Sequence, residues 1–151
     1  MTKFEVVNGF EEKNVELPSR GTKASAGYDF YSIEDTVLPP KMEKPYVMGT
    51  GIKAEMDQDQ VLKIYIRSSI GIKHGITMAN GTGIIDSDYY NNEDNEGHIM
   101  LPLLNTSNKA FRISKGDRIA QGIFVRYDLT DDDSFDNGEE RSGGIGSTGT
   151  N

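Results

Sequence analysis

Val61-Leu62-Lys63-Ile64-Tyr65-Ile66 sets Leu62, Ile64 and Ile66 on one side of an extended chain and Lys63 on the other. A period of two is that of a β-strand with one face on a core. The same alternation appears upstream, where Ile52, Ala54 and Met56 share a face, and downstream from Ile119 to Val125, where β-branched residues dominate one face. Almost no stretch carries apolar residues at i, i+3, i+4 and i+7 over three turns, so helix is scarce. Turn signals fall at short intervals, at Pro39-Pro40, Gly49-Thr50-Gly51, Asp57 to Gln60, Asn105 to Asn108 and Lys115-Gly116-Asp117. Short alternating strands at that spacing predict an all-β sandwich or barrel.

The 151 residues suit one domain. With 24 acidic against 16 basic residues the net charge is −8, which excludes general attraction to a nucleic acid polymer or an anionic membrane surface. The absence of Cys excludes a disulfide scaffold, a thiolate metal site and a Cys nucleophile together. The opening Met1-Thr2-Lys3-Phe4-Glu5 lacks the basic-then-apolar pattern of a signal peptide, and the longest apolar run, Ile99 to Leu104, contains Pro102. Neither feature suits export or membrane spanning, and the expectation is a cytoplasmic protein. Glycine is abundant, 17 of 151 residues, above the roughly 7% of average usage.

Two segments interrupt the strands. Tyr90 to Gly97 is polar throughout after its first residue and is expected to be a surface excursion. Asp131 to Glu140 is dominated by acids, with Phe135 its one apolar residue, and Gly/Ser/Thr-rich sequence follows from Arg141. The expected organisation is a β domain over 1–128, an acidic linker over 129–140, and an arm over 141–151 with little to bury in its own subunit.

Four constellations carry chemical potential. In the arm, glycines free of Cβ obstruction allow backbone N–H groups to curl around an anion, with Arg141, Ser147 and Thr148 as added donors; a flexible tail is the plain alternative. Arg67-Ser68-Ser69 follows the strand that ends at Ile66, and Ser68 is a natural N-cap for a short helical turn beside an anion; a capped turn with a surface Arg is equally compatible. In Asn80-Gly81-Thr82-Gly83-Ile84-Ile85-Asp86-Ser87-Asp88-Tyr89, the isoleucines deliver Asp86 to a strand end where a carboxylate is partly buried, the glycines let a ligand reach main chain, and Tyr89 is placed to stack on a ring. An ordinary hairpin turning at Asn80-Gly81 is the alternative, with Asp88 an exposed acid. Asp29 and Gln121 are polar residues inside predicted strands, which asks for a partner. His74 and His98 show no ligand spacing and read as ordinary polar residues.

Taken in order, Ser25-Ala26-Gly27-Tyr28-Asp29-Phe30, Arg67 to Gly75, Gly83 to Tyr89, Gly116 to Gln121 and Gly143 to Gly149 resemble the five motifs of the trimeric dUTP pyrophosphatases. The resemblance implies a distorted jelly-roll β-barrel subunit with a short helical turn and an extended C-terminal arm, assembled as a homotrimer whose arms close over neighbouring active sites. It implies Mg²⁺-dependent hydrolysis of dUTP to dUMP and pyrophosphate, removing dUTP and supplying dUMP for thymidylate synthesis. Asp86 would activate the water that attacks the α-phosphorus in line. Tyr89 would pack on the deoxyribose, and Asn80 with main chain of its hairpin would read the uracil edge. Arg67, Ser68 and Gln121 would contact phosphates, with Ser69, Gly83 and Ile145 among the substrate-binding positions. Arg141, Ser147 and Thr148 would clamp the terminal phosphate, and Asp29 would bind Mg²⁺ through water.

Three departures stand out. Ile145 occupies the place of the family's usual Phe, Arg141 lies one residue closer to it than the common spacing puts the Arg, and Tyr90 to Ile99 replaces a shorter Tyr-Arg-Gly-Glu continuation. A protein partner at the 91–97 loop is one expectation for that insertion. The rival readings are a dCTP deaminase of the same fold, which shares Arg67-Ser68-Ser69, and a regulatory binding protein built on the dUTPase fold.

Overall fold

Leu62 and Ile64, at the centre of the alternating run Val61 to Ile66, are fully buried. In the computed structural model, which describes residues 1–146, they lie on β7 (Gln60–Ile66). It follows β1 (Lys3–Val6), β2 (Ser19–Arg20), β3 (Tyr28–Tyr31), β4 (Thr36–Leu38), β5 (Tyr46–Gly49) and β6 (Ile52–Glu55). After it come α1 (Ser68–His74), β8 (Ile76–Met78), β9 (Gly83–Asp86), β10 (Met100–Asn105), β11 (Phe111–Ile113) and β12 (Arg118–Arg126). Apart from α1, only two 3-10 turns, Glu11–Lys13 and Ser87–Tyr89, are helical among the described residues.

Every strand pairing is antiparallel. The largest sheet runs β2-β3-β12-β7-β9, and smaller ones pair β1 with β6, β4 with β11, and β5-β10-β8. Consecutive strands often sit in different sheets, so the chain crosses repeatedly between layers. Ile52, Ala54 and Met56 join Leu62 and Ile64 in the core, together with Phe30, Leu38, Ile99, Leu101, Leu103 and Ile113. Burying each large aliphatic or aromatic side chain contributes about 1.5–3 kcal/mol, and this cluster holds the layers together. The expected all-β architecture with a short helical turn is therefore the observed one.

Strand β12 departs from regular geometry in two places. The β3–β12 register shifts between Arg118 and Ala120, and a bulge of this kind re-aims neighbouring side chains. Gly122 lies where a Cβ would stand 2.9 Å from Ile64 and 3.0 Å from both Leu62 and Phe30, so β12 crosses the core at a separation only glycine allows. The last strand ends at Arg126, and residues 127–140 carry no strand; Phe135 rests edge-on near Tyr127, ring centroids 6.1 Å apart. No helix among the described residues is long and apolar enough to cross a membrane.

Candidate active site

Strand β9 lies at the edge of the large sheet, paired to β7 from Ile64↔Gly83 through Val61↔Asp86. Gly83 permits the approach, because a Cβ there would stand 3.0 Å from that of Ile64. Ile85 packs on the core while Ile84 points outward, so one isoleucine, not two, anchors the strand end. Asp86 is consequently exposed, its side chain 55% accessible, and the expected partial burial is not found. The hairpin alternative also fails. β8 pairs with β10 and β9 with β7, and Asn80-Gly81 bridges two sheets through a tight turn with Gly81 at φ +72°.

Directly after Asp86, the 3-10 turn Ser87–Tyr89 swings the chain inward and buries Tyr89. A cleft of about 580 Å³ opens between β9 and β5-β10. Asn80, Gly83, Asp86, Tyr89, Arg141 and Ile145 all line it, with Val47, Met100 and Pro102 supplying apolar wall. Arg141 is the dominant charge there. Its side chain is only 7% exposed, its Nη2 donates to Asp86 Oδ2 at 2.9 Å, and its Nε donates to Asp88 Oδ1 at 2.8 Å. The guanidinium carbon also stands 5.6 Å from the Tyr89 ring centroid, within cation–π range. Asp88 is thus exposed yet paired.

The described part of the arm lies over residues of its own chain. Arg141 Nη1 reaches the carbonyls of Gly143 and Gly144, Gly144 N–H donates to Asp94 at 3.2 Å, and Glu93 N–H donates to the Ser142 carbonyl at 3.2 Å. Two carboxylates, Asp86 and Asp88, hold Arg141 in this position. Ile145 is exposed at the cleft mouth. Ser147 and Thr148 lie outside the described residues.

A second cleft, of about 720 Å³, shares no lining residue with the first. Arg67 and Ser69 line it along with Lys73, Arg112 and Arg118. The helical turn expected after β7 is α1, but Arg67, not Ser68, is its N-cap, and no side chain caps it. Ser68 is already helical because the Arg67 N–H is committed to the Ile119 carbonyl at 2.9 Å, which fixes where the extended backbone stops. Gly75, at φ +68°, closes the helix by donating to Gly71. Arg112 carries no signal in sequence, where it is simply the polar member of Phe111-Arg112-Ile113; the fold brings it beside α1 and the start of β12.

Asp29 and Gln121 sit opposite each other in the β3–β12 register. Asp29, with 17% of its side chain exposed, pairs with Arg118 at 3.6 Å. Gln121 folds over Gly27, where a Cβ would fall 2.5 Å from its Oε1. Asp29 therefore has the partner its place in a strand asks for, and Gln121 is packed closely against Gly27.

The largest departure from expectation is Tyr90 to Gly97, which is no free excursion. Asn92 is buried, its Nδ2 donating to the Tyr89 carbonyl at 2.7 Å and to Asn95 Oδ1 at 2.8 Å, and its Oδ1 accepting from the N–H groups of Asp94 and Asn95. Asn95 Nδ2 donates to the Tyr89 hydroxyl at 2.8 Å, and that hydroxyl donates to the His98 carbonyl at 2.6 Å. Burial raises the Tyr89 pKa, so the phenol stays a donor. Lys53 binds Asn91 and Glu96 at 2.6 and 2.7 Å, and Tyr90 donates to Glu5, which pushes the Tyr90 hydroxyl up to about 12. His98 is buried as well. Its Nε2 accepts from Gly51 N–H at 2.8 Å, and burial holds its pKa below the usual value. Hydrophilic composition signalled a surface loop, and Asn91, Glu93 and Asp94 are exposed, but Asn92, Asn95 and Glu96 spend their polar groups on partners within the protein.

The family model for dUTPase matches residues 13–149. The chain belongs to the dUTPase family. It is 42% identical over 146 residues to the deoxyuridine 5'-triphosphate nucleotidohydrolase of Lactococcus lactis subsp. lactis, covering 97% of this chain and 96% of that one. Among solved structures it is similar to the dUTPase of Streptococcus mutans, with a TM-score of 0.78 and 36% identity over 85% of this chain and 98% of that one. A dUTPase of phage phi11 of S. aureus, described as coordinating a structural Mg(II) ion, shares the fold at a TM-score of 0.68 and 22% identity, covering 91% of this chain and 99% of that one. The jelly-roll barrel expected from the five motifs is the dUTPase fold seen here.

Proposed function

We propose that this protein hydrolyses dUTP to dUMP and pyrophosphate, removing dUTP and supplying dUMP for thymidylate synthesis. The observation that carries the reading is the placement of an exposed carboxylate, Asp86, at the rim of a cleft walled by Tyr89, Gly83 and Asn80. A largely apolar cleft lined also by a few polar groups suits a pyrimidine nucleoside. Tyr89 packs on the deoxyribose and leaves no room for a 2′-hydroxyl, while Asn80 and main chain near Gly83 read the uracil edge. Asp86 holds a water and takes its proton as the oxygen attacks the α-phosphorus in line; the bond to the α,β-bridging oxygen breaks and pyrophosphate leaves. Triphosphate oxygens compete with Asp86 for Arg141, and transfer of the guanidinium to them frees the carboxylate.

The basic cleft lined by Arg67 and Ser69, with Ser68 between them in sequence and Gln121 in the adjoining sheet, takes phosphates. Because it shares no lining residue with the nucleoside cleft, the arrangement favours a homotrimer in which the two kinds of cleft meet across subunits. In that assembly the β domain is 1–128, the acidic segment 129–140 is a linker, and the arm 141–151, with Ile145 as an aliphatic lid and Ser147 and Thr148 as phosphate donors, closes the site. The donors fit a metal that arrives on the nucleotide. No cluster of three or more metal-ligating side chains occurs among the described residues, and Asp29 offers one carboxylate suited to a water-mediated contact, as Mg²⁺ prefers. Bound Mg²⁺ would order the triphosphate and offset charge on the leaving pyrophosphate.

The test is pyrophosphate release with Mg²⁺ across dUTP, dTTP, dCTP and UTP. Turnover confined to dUTP is expected; equal turnover of dCTP, or ammonia release, would overturn the assignment.

A further inference from the structure

We infer that Asn95 is a positioning residue that ties the closed arm to Tyr89 and so sharpens discrimination between deoxyribose and ribose. This rests on the proposed packing of Tyr89 on the sugar. Asn95 does not line the nucleoside cleft; whatever it does there passes through a neighbour.

Its amide is held at both ends. Nδ2 donates to the Tyr89 hydroxyl at 2.8 Å, and Oδ1 accepts from Asn92 Nδ2 at 2.8 Å and from Gly97 N–H at 3.1 Å. A flipped amide would set its NH2 against Asn92 Nδ2 and Gly97 N–H, and could keep the phenol only by taking its proton from the His98 carbonyl, so the donor is fixed toward the phenol. Loop backbone supports the arrangement. Asn91 and Glu96 adopt left-handed φ values of 56° and 64°, and Gly97, at φ +90°, lies where a Cβ would stand 2.9 Å from the Tyr89 carbonyl oxygen. The phenol is thereby pinned between Asn95 and the His98 carbonyl, which sets the ring's tilt as well as its depth.

The other face of the same amide meets the arm. A Cβ on Gly144 would stand 2.9, 3.0 and 3.1 Å from Nδ2, Cγ and Oδ1 of Asn95, so arm backbone lies flat on this side chain. Gly144 has no left-handed backbone requirement; its small size answers to Asn95. With Asp94 accepting from the Gly144 N–H at 3.2 Å, the loop is both a seat for the arm and a brace for the ring. Seating the arm presses the brace against Tyr89.

Steady-state kinetics with dUTP and UTP test this on the full-length protein, with melting temperatures recorded alongside. Asn95→Ala is expected to narrow the dUTP-over-UTP preference in kcat/KM by about tenfold, the usual scale for one lost hydrogen bond. Tyr89→Phe should narrow it similarly, and the double variant should lose no more than either. Gly144→Ala should narrow it several-fold by displacing the Asn95 amide, and should add nothing in the Asn95→Ala background. A folded Asn95→Ala with unchanged preference overturns the inference, as do additive losses with Tyr89→Phe. Should Asn95→Ala fail to fold, Gly144→Ala decides, a narrowed preference supporting the inference and an unchanged one overturning it. Tyr89→Leu separates the two levels. If it leaves the preference intact, the sugar-contact reading falls and the inference with it; if it narrows the preference while Asn95→Ala does not, only the role of Asn95 falls.

Discussion

Asp86 and Arg141 form a pair of opposite character, a carboxylate open to water and a guanidinium almost wholly covered. A salt bridge with one exposed partner contributes little to stability, typically about 0–1 kcal/mol, so replacing Asp86 should leave the fold intact. Asp86→Asn is therefore expected to bind nucleotide and lose at least ~10²-fold in kcat, as removal of a general base typically does. Near-normal turnover in a pyrophosphate assay would reject Asp86 as the base. Asp86, Tyr89 and Asn80 were readable as a group because their chemistry is local in sequence. The exposure of Asp86 was not, since it depends on which of two adjacent isoleucines the β7 pairing turns inward. The partners of Asn92 and Asn95 were hidden for a related reason: an asparagine in a polar loop carries no mark of whether its amide faces water or a neighbouring tyrosine.

At the scale of elements, β3 and β12 are locked by a close approach that sequence shows only as a glycine beside a tyrosine and an aspartate. Gly27→Ala would put a methyl group against Gln121 Oε1, and the flexible amide, not the backbone, is what yields. The expected outcome is a modest change in melting temperature with a larger rise in KM for dUTP, read by kinetics and thermal denaturation in parallel. The arm behaves oppositely, because its described residues contribute nothing to the hydrophobic core. Truncation after Glu140 should leave a folded trimer by light scattering and circular dichroism while activity falls severely, because groups that orient the triphosphate are gone. A monomer would argue against sites shared across subunits. Alternation made β6, β7 and β12 legible from the outset; the N-cap of α1 was not, because a long-range bond from Arg67 to Ile119 outweighed Ser68's local preference.

For the molecule as a whole, acid should act in two stages. His98 is depressed in the folded state by burial, against a smaller opposing influence from Glu96. Above the unfolded value of about 6.5 both states are neutral at this residue and its contribution is constant. As pH falls below about 6.5 the unfolded chain binds the proton first, so stability declines until the folded pKa is reached. Protonation also removes the acceptor for Gly51 N–H. Below the ordinary carboxylate range a second decline sets in, from Glu5, Asp57 and Glu96, whose values Tyr90, Arg126 and Lys53 respectively hold down. Urea midpoints measured from about pH 7.5 to 3 should show both slopes, and His98→Gln should flatten the upper one alone. Because His98 is where the Tyr89 hydroxyl is anchored, the first stage should reach the nucleoside cleft before the barrel fails.

Strand β9 leaves one ladder of amides and carbonyls on the border of the large sheet, next to the outward side chain of Ile84. Such a border is a template for another extended chain, and proteins ordinarily blunt it with charge, proline or a covering segment. Here charge sits at one end of the border, where Arg141 of the arm pairs with Asp86 and Asp88; we expect the arm so tethered to shield it. The device that admits a nucleotide thus also guards against self-association, and a concentrated sample lacking its last eleven residues should be the first to aggregate.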